Sequence, residues 1–143
     1  MSEKTLSPQA EALELLKTYY SAFNAGDLDA MLACVSEDLV HDVNQGDRRV
    51  GKELFRAFGD HMARCYHENL TDIILFANED GTRGAAEFTV HGTYLSTDEG
   101  LPTAEGQRYE LPAGAFFDMG DGLITRVSTY YNLAEWTRQV IGE

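Results

Sequence analysis

Basic residues are scarce in this chain: 11 lysines and arginines stand against 24 aspartates and glutamates among 143 residues, a formal charge of −13. Such a surface repels phosphate backbones and anionic lipid, because affinity for either rests on Lys and Arg displacing counterions. Nucleic acid and membranes are therefore excluded as expected partners. Cysteine is nearly as scarce. Cys34 and Cys65 are far apart, each within a predicted helix, with no C-x-x-C pair, and no apolar signal-like stretch follows Met1. Two reduced thiols in a cytoplasmic protein are expected. Apolar runs stay well short of the roughly 18 consecutive residues that a membrane span needs. Also missing are a phosphate loop, a dinucleotide fingerprint, a G-x-S-x-G turn and an H-E-x-x-H pair. No cofactor is expected, and a serine nucleophile is disfavoured. There is no internal repeat, linker or low-complexity segment, so the chain reads as a single domain, residues 1–143. A domain of this length buries about 70% of its unfolded surface, enough for a core with a cavity in it.

What is present begins with helices. Ser7 is a candidate N-cap, Pro8 suits the first helical position, and Leu13, Leu16, Tyr20 and Phe23 recur at helical spacing. The helix should stop at Asn24-Ala25-Gly26, and Asp27 should cap a short second helix carrying Leu28, Met31, Leu32 and Val35. A brief strand over Leu39 to Asn44 ends in the turn residues Gln45-Gly46-Asp47. A third helix is predicted from about Gly51 to Tyr66, with Leu54, Phe55, Phe58 and Met62 on its inner face. After His67 the period changes to alternation. Leu70 to Asn78 and Arg83 to Leu95 form one predicted hairpin, and Gln107 to Met119 and Leu123 to Asn132 form another. Between them Ser96 to Gly106 is polar, acidic and long for a hairpin loop, a candidate lid. Leu133 to Ile141 closes the chain as a helix. Helices ahead of a run of antiparallel strands define an α+β class, one curved sheet wrapped around helices.

The order of elements, F-N-A-G-D-L-D-A-M at residues 23–31, A-F-F-D-M-G-D-G-L-I-T-R-V at 115–127 and the closing T-Y-Y-N-L together resemble the NTF2-like superfamily, most of all its SnoaL-like and ketosteroid-isomerase-related members. The resemblance spans nearly the whole chain. It implies a cone formed by a strongly bent antiparallel sheet and closing helices, with an internal pocket and a homodimer packed through the outer sheet face. It implies a small apolar ligand of polyketide or steroid kind, and either proton-transfer catalysis (isomerase, dehydratase or cyclase) or ligand binding without turnover.

Carried over residue by residue, the family's oxyanion tyrosine falls on Tyr19. Its proton-shuttling carboxylate falls on Val43, with Asp42 one position earlier. One residue along a strand reverses the face, so either a shifted register aims Asp42 inward or the inward pair is His41 and Val43. The second, protonated carboxyl donor of that family falls on Gly114, which argues against steroid isomerisation. Asp42 or His41 as base with Tyr19 as donor forms a minimal catalytic set. A carboxylate in an apolar cone gains proton affinity, and one oxyanion donor contributes about 3–4 kcal/mol in other enzymes. Alternatively, Asp42, Asn44 and Gln45 bond the turn backbone where the strand ends.

Further ligand-contacting candidates are Asn44, Phe116, Thr129, Tyr131 and Asn132; the resemblance sends Val127, Thr129 and Tyr131 inward. His91 shares a polar strand face with Glu87, Thr89 and Thr93, which lines either the pocket or a dimer interface. His61, Cys65 and His67 lie close in sequence, but no second cysteine is near and His67 should begin the next segment. No metal is expected there.

Overall fold

The computed structural model describes residues 5–43 and 46–142. Helix α1 spans Pro8–Ala25. Ser7 Oγ accepts from the Ala10 N–H at 3.1 Å, Pro8 occupies the first turn, where no helical donor is lost, and Gly26 ends the helix at φ 69. That left-handed conformation suits glycine, which has no Cβ to clash. Asp27 then caps α2, which is only Leu28–Leu32. Val35, expected on this helix, instead opens strand β1 (Val35–Val43), and Cys34 lies in the turn between them. A two-residue strand β2 (Arg49–Val50) precedes α3 (Lys52–Cys65). Leu54 on α3 is exposed and Phe55 is buried, so the inner face of that helix is narrower than its apolar spacing implied.

Strand β3 (Tyr66–Ala77) starts at the end of α3, four residues before its expected start. It continues into β4 (Arg83–Tyr94), β5 (Arg108–Gly120), β6 (Leu123–Tyr131) and α4 (Leu133–Ile141). The strand order is β2-β1-β6-β5-β4-β3. β1 runs parallel to β6 and every other pairing is antiparallel. Register irregularities leave extra residues in β1, β3 and β6, the one in β3 containing Asp72 at φ 54. Bulges of this kind bend a strand and increase its twist, and the sheet is curved without closing.

The helices fill the concave side. Leu16, Tyr19 and Tyr20 of α1 pack on Phe88 and Phe117 of the sheet, with Tyr20 5.3 Å from Phe88 and Tyr19 6.0 Å from Phe117 between ring centres. Asn24 of the N-A-G-D break has a structural task here. It donates to Leu70 O at 2.9 Å and accepts from Leu70 N at 2.8 Å, satisfying backbone groups on the sheet's edge strand that would otherwise be unpaired. At the opposite end Trp136 of α4 meets the rings of Tyr66, Tyr94 and Tyr109.

Candidate functional site

Register decides which polar side chains face the helices. Across the sheet, Val127 pairs with Phe117 and with His41, and Thr129 pairs with Ala115 and with Val43. Phe117 contacts α1, so this set is the inner face. Asp42 pairs with Ser128 and therefore points the other way. There it accepts from Arg48 Nε at 2.8 Å, Arg48 Nη2 at 2.9 Å and Ser128 Oγ at 2.8 Å. Arg126 links Ser128 to Asp118, and Arg83 completes the chain of charges. The Arg48 hydrogen bonds, joined by that from Ser128, hold the Asp42 carboxyl below its usual range. A carboxylate so paired is a weak base, and it lies outside the cone.

His41 is the inward residue of the pair. It is buried, edge-on to Phe55 and Phe58 at 5.0 and 4.7 Å. Burial, reinforced by the Arg49 charge, lowers its pKa to about 4, so the ring is neutral at pH 7. Its Nδ1 is buried with no hydrogen-bond partner among the described residues. Tyr19 is buried against Tyr20 and Phe117, and burial pushes its hydroxyl above the ordinary phenol range.

The remaining sequence candidates separate in space. Thr129 and Tyr131 are on the inner face, Tyr131 half-buried. His91 is exposed on the outer face, with Nε2 2.8 Å from Thr71 Oγ1 and Nδ1 3.5 Å from Glu110. Phe116 is also on the outer face, 52% exposed and edge-on to Tyr130; its strand neighbour Phe117 takes the inward position. That placement corrects both His91 and Phe116 as residues of the inner, concave face. Asn132 caps α4 through the Glu135 N–H at 3.0 Å. Asn44 lies outside the described residues. Gly114 is paired with Glu87 and Tyr130 on the outer face, and its inward neighbours Ala113 and Ala115 carry no donor.

Sequence reasoning missed the inward carboxyl. Glu68 of β3 pairs with Gly92, whose lack of a side chain admits the Tyr109 ring; a Cβ there would meet that ring's atoms at 2.1–2.4 Å. The Tyr109 hydroxyl donates to Glu68 Oε2 at 2.5 Å. Burial raises the Glu68 pKa, with the Tyr109 hydrogen bond acting in the opposite direction. Tyr131 is raised by burial and then by the charges of Glu68 and Asp98, so its hydroxyl lies in their field and stays protonated. The available signal was alternation: extending the β3 pattern back through Glu68 places it on the face of Leu70.

The loop between β4 and β5 is folded against this end. Tyr94 donates to Pro102 O at 2.7 Å and accepts from Asp98 N at 2.9 Å. Asp98 accepts from the Tyr66 hydroxyl at 2.7 Å and approaches His61 Nε2 at 2.8 Å. Leu101 and Ala104 pack on the core. Two concavities open nearby: one along α4 lined by Tyr131, Asn132 and Leu133, and one on the outer face at His67, His91 and Glu110.

A curved sheet wrapped on helices, with titratable side chains gathered on its concave face, defines an NTF2-like α+β cone. Residues 16–127 match the SnoaL-like domain, and the chain belongs to the family of SnoaL-like proteins. Its fold superposes on the crystal structure of a candidate polyketide cyclase from Pseudomonas putida KT2440 at 60% identity and a TM-score of 0.89, covering 90% of this chain and 97% of that one. A candidate polyketide cyclase from Silicibacter sp. TM1040 is 60% identical with a TM-score of 0.90, covering 95% and 98%. One from Xanthomonas campestris pv. campestris is 55% identical with a TM-score of 0.91, covering 94% and 99%. No curated protein matches the chain in sequence.

Proposed function

We propose that this chain is a cofactor-free proton-transfer enzyme that closes a ring in a small polycarbonyl substrate of the polyketide kind, with Glu68 as general base. The observation that carries the reading is the inward Glu68 carboxyl, raised in proton affinity by burial and bonded by Tyr109. The names of the 55–60% identical relatives support the substrate class. A carboxylate of raised pKa is better matched to a proton on carbon between two carbonyls. That C–H bond breaks, its proton moves to Glu68, and its electron pair forms a carbon–carbon bond to a second carbonyl carbon. The electron pair displaced onto that carbonyl's oxygen then takes the proton back from Glu68. The product is an isomer of the substrate, and no co-reactant is consumed. Tyr131, whose hydroxyl lies in the field of Glu68, stabilises the oxygen on which charge collects.

The test is ring closure of a linear poly-β-ketoester, read by chromatography and ultraviolet absorption of the cyclic isomer. Glu68→Gln should slow it by about 10²–10⁴, the usual scale for a general base, with the thermal midpoint little changed. Wild-type turnover in Glu68→Gln would remove Glu68 from the mechanism.

A second reading, a ligand-binding homodimer without turnover, draws on the outer face. Ile74, Phe76, Phe116 and Tyr130 are each about half exposed there and form an apolar strip suited to a second copy. Among the described residues no helix is long and apolar enough to cross a membrane. Cys34 and Cys65 are both free and buried, which supports a reducing, cytoplasmic setting.

A further inference from the structure

The side chains of His61, Cys65 and Asp98 bring three different ligand types to one point, each offering an atom within 4.8 Å of the others. His61 and Cys65 are four residues apart on α3 and so share a helix face. Asp98 arrives from the β4–β5 loop, more than thirty residues away in sequence. His67, the third residue of the sequence grouping, is exposed on β3 and pairs with Thr93, away from this point.

The geometry is that of a chelate rather than of a nucleophile triad. In a cysteine–histidine–carboxylate triad the thiol and the carboxylate address opposite ring nitrogens. Here both address Nε2 of His61, Asp98 Oδ1 at 2.8 Å and Cys65 Sγ at 3.9 Å. A tetrahedral ion with bonds of 2.0–2.3 Å places its ligand atoms about 3.3–3.6 Å apart. The two separations from His61 Nε2, 2.8 and 3.9 Å, bracket that range, and Cys65 Sγ and Asp98 lie within 4.8 Å of each other, so closing on an ion takes side-chain adjustments on the order of 1 Å. Asp98 is already positioned for the task. Its second oxygen is held by the Tyr66 hydroxyl at 2.7 Å and its backbone N–H by the Tyr94 hydroxyl at 2.9 Å, the outer contacts that orient a metal-binding carboxylate. The thiolate–imidazole–carboxylate set is borderline-soft, which favours zinc over magnesium or calcium. An entry path exists, since the side chains of His61 and Asp98 are 39% and 21% exposed while Cys65 is buried. The chain's charge of −13 attracts cations.

We propose that His61, Cys65 and Asp98 bind one zinc ion, with a fourth position open to water, and that the ion ties the β4–β5 loop to α3. This assignment is independent of the role given to Glu68. An ion bound only by the folded chain with the loop in place stabilises that arrangement by mass action.

The experiment is titration of the purified, chelator-treated full chain with zinc by calorimetry, and with cobalt(II) by absorption. One ion per chain is expected, with a thiolate-to-cobalt charge-transfer band, tetrahedral visible bands and a zinc-dependent rise in thermal midpoint. Cys65→Ser should abolish the charge-transfer band, and Asp98→Asn and His61→Gln should each weaken zinc at least tenfold. Far-ultraviolet circular dichroism matching wild type establishes that each variant is folded. His91→Gln, on the outer face, should leave binding unchanged. Sub-stoichiometric binding in the wild type, or binding that survives Cys65→Ser but not His91→Gln, would overturn the assignment. Should a variant fail to fold, the wild-type cobalt spectrum decides: a one-to-one complex without thiolate charge transfer refutes it.

Discussion

Buried, neutral His41 makes stability depend on pH in a way that can be isolated by one substitution. In the unfolded chain the imidazole takes up a proton near its ordinary pKa of 6.5, whereas in the folded chain burial between Phe55 and Phe58 and the Arg49 charge lower it to about 4. Between those values the unfolded state binds more protons, so stability rises with pH and is lost as pH falls. At about 1.4 kcal/mol per pH step, the loss from pH 7 to pH 4 comes to about 3 kcal/mol, a large share of a typical domain's 5–15 kcal/mol. Other carboxylates titrate in the same window. Glu68 acts in the opposite sense: its folded pKa is raised, so its contribution favours the folded state at low pH and is lost as pH rises. Comparison with His41→Leu cancels those terms, since they are common to both proteins. Leucine is close to histidine in volume, does not titrate and removes the unpartnered Nδ1. Urea unfolding at half-unit steps from pH 7 to 4 should show the wild type losing about 3 kcal/mol more than the variant, with the divergence starting below pH 6.5. Parallel curves, or a divergence only below pH 4, would refute the burial argument.

Asp42→Asn should leave ring closure within twofold of wild type, because the carboxylate is on the outer face. Its stability cost should be about 1 kcal/mol by urea unfolding, the scale of a partly exposed ion pair; an Asp42→Asn protein that is stable but inactive would refute that assignment. Gly92→Ala should displace Tyr109 from Glu68, since a Cβ there meets the phenol ring at 2.1–2.4 Å. A loss of about 1–3 kcal/mol is expected from overpacking, accompanied by a rate change like that of Tyr109→Phe. A Gly92→Ala protein with wild-type stability and wild-type rate would refute the close approach.

Much of the fold was legible from local chemistry. Ser7, Pro8 and Gly26 bound α1 where their backbone preferences dictate, and alternation located the long strands to within a few residues. The failures occurred where tertiary contacts outweigh local pattern. Val35 has helical spacing from Leu28 and Met31, yet its place opposite Ile124 in the sheet draws it into β1. Tyr66 to Asn69 lack the alternating apolar run of a strand, yet they pair from Tyr94 to His91 across β4. The candidate site was only partly legible for the same reason. His41 and Asp42 are neighbours in sequence, and both were named, but a strand sends them to opposite faces. Glu68 was passed over because one acidic residue beside a helix end carries no signal until Gly92 and Tyr109 are seen beside it.

By itself the sequence determined the class, the sequence of elements and the family, because capping, turn chemistry and hydrophobic period act over a few residues. It also determined the strong negative charge. The tertiary structure alone decided which side chains share the inner face, since register between strands remote in sequence sets that choice. It placed Glu68 under Tyr109, moved Asp42 into the outer ion-pair chain, and brought Asp98 to His61 and Cys65. These are contacts of long sequence separation, and only the curved sheet and its folded loop bring them together.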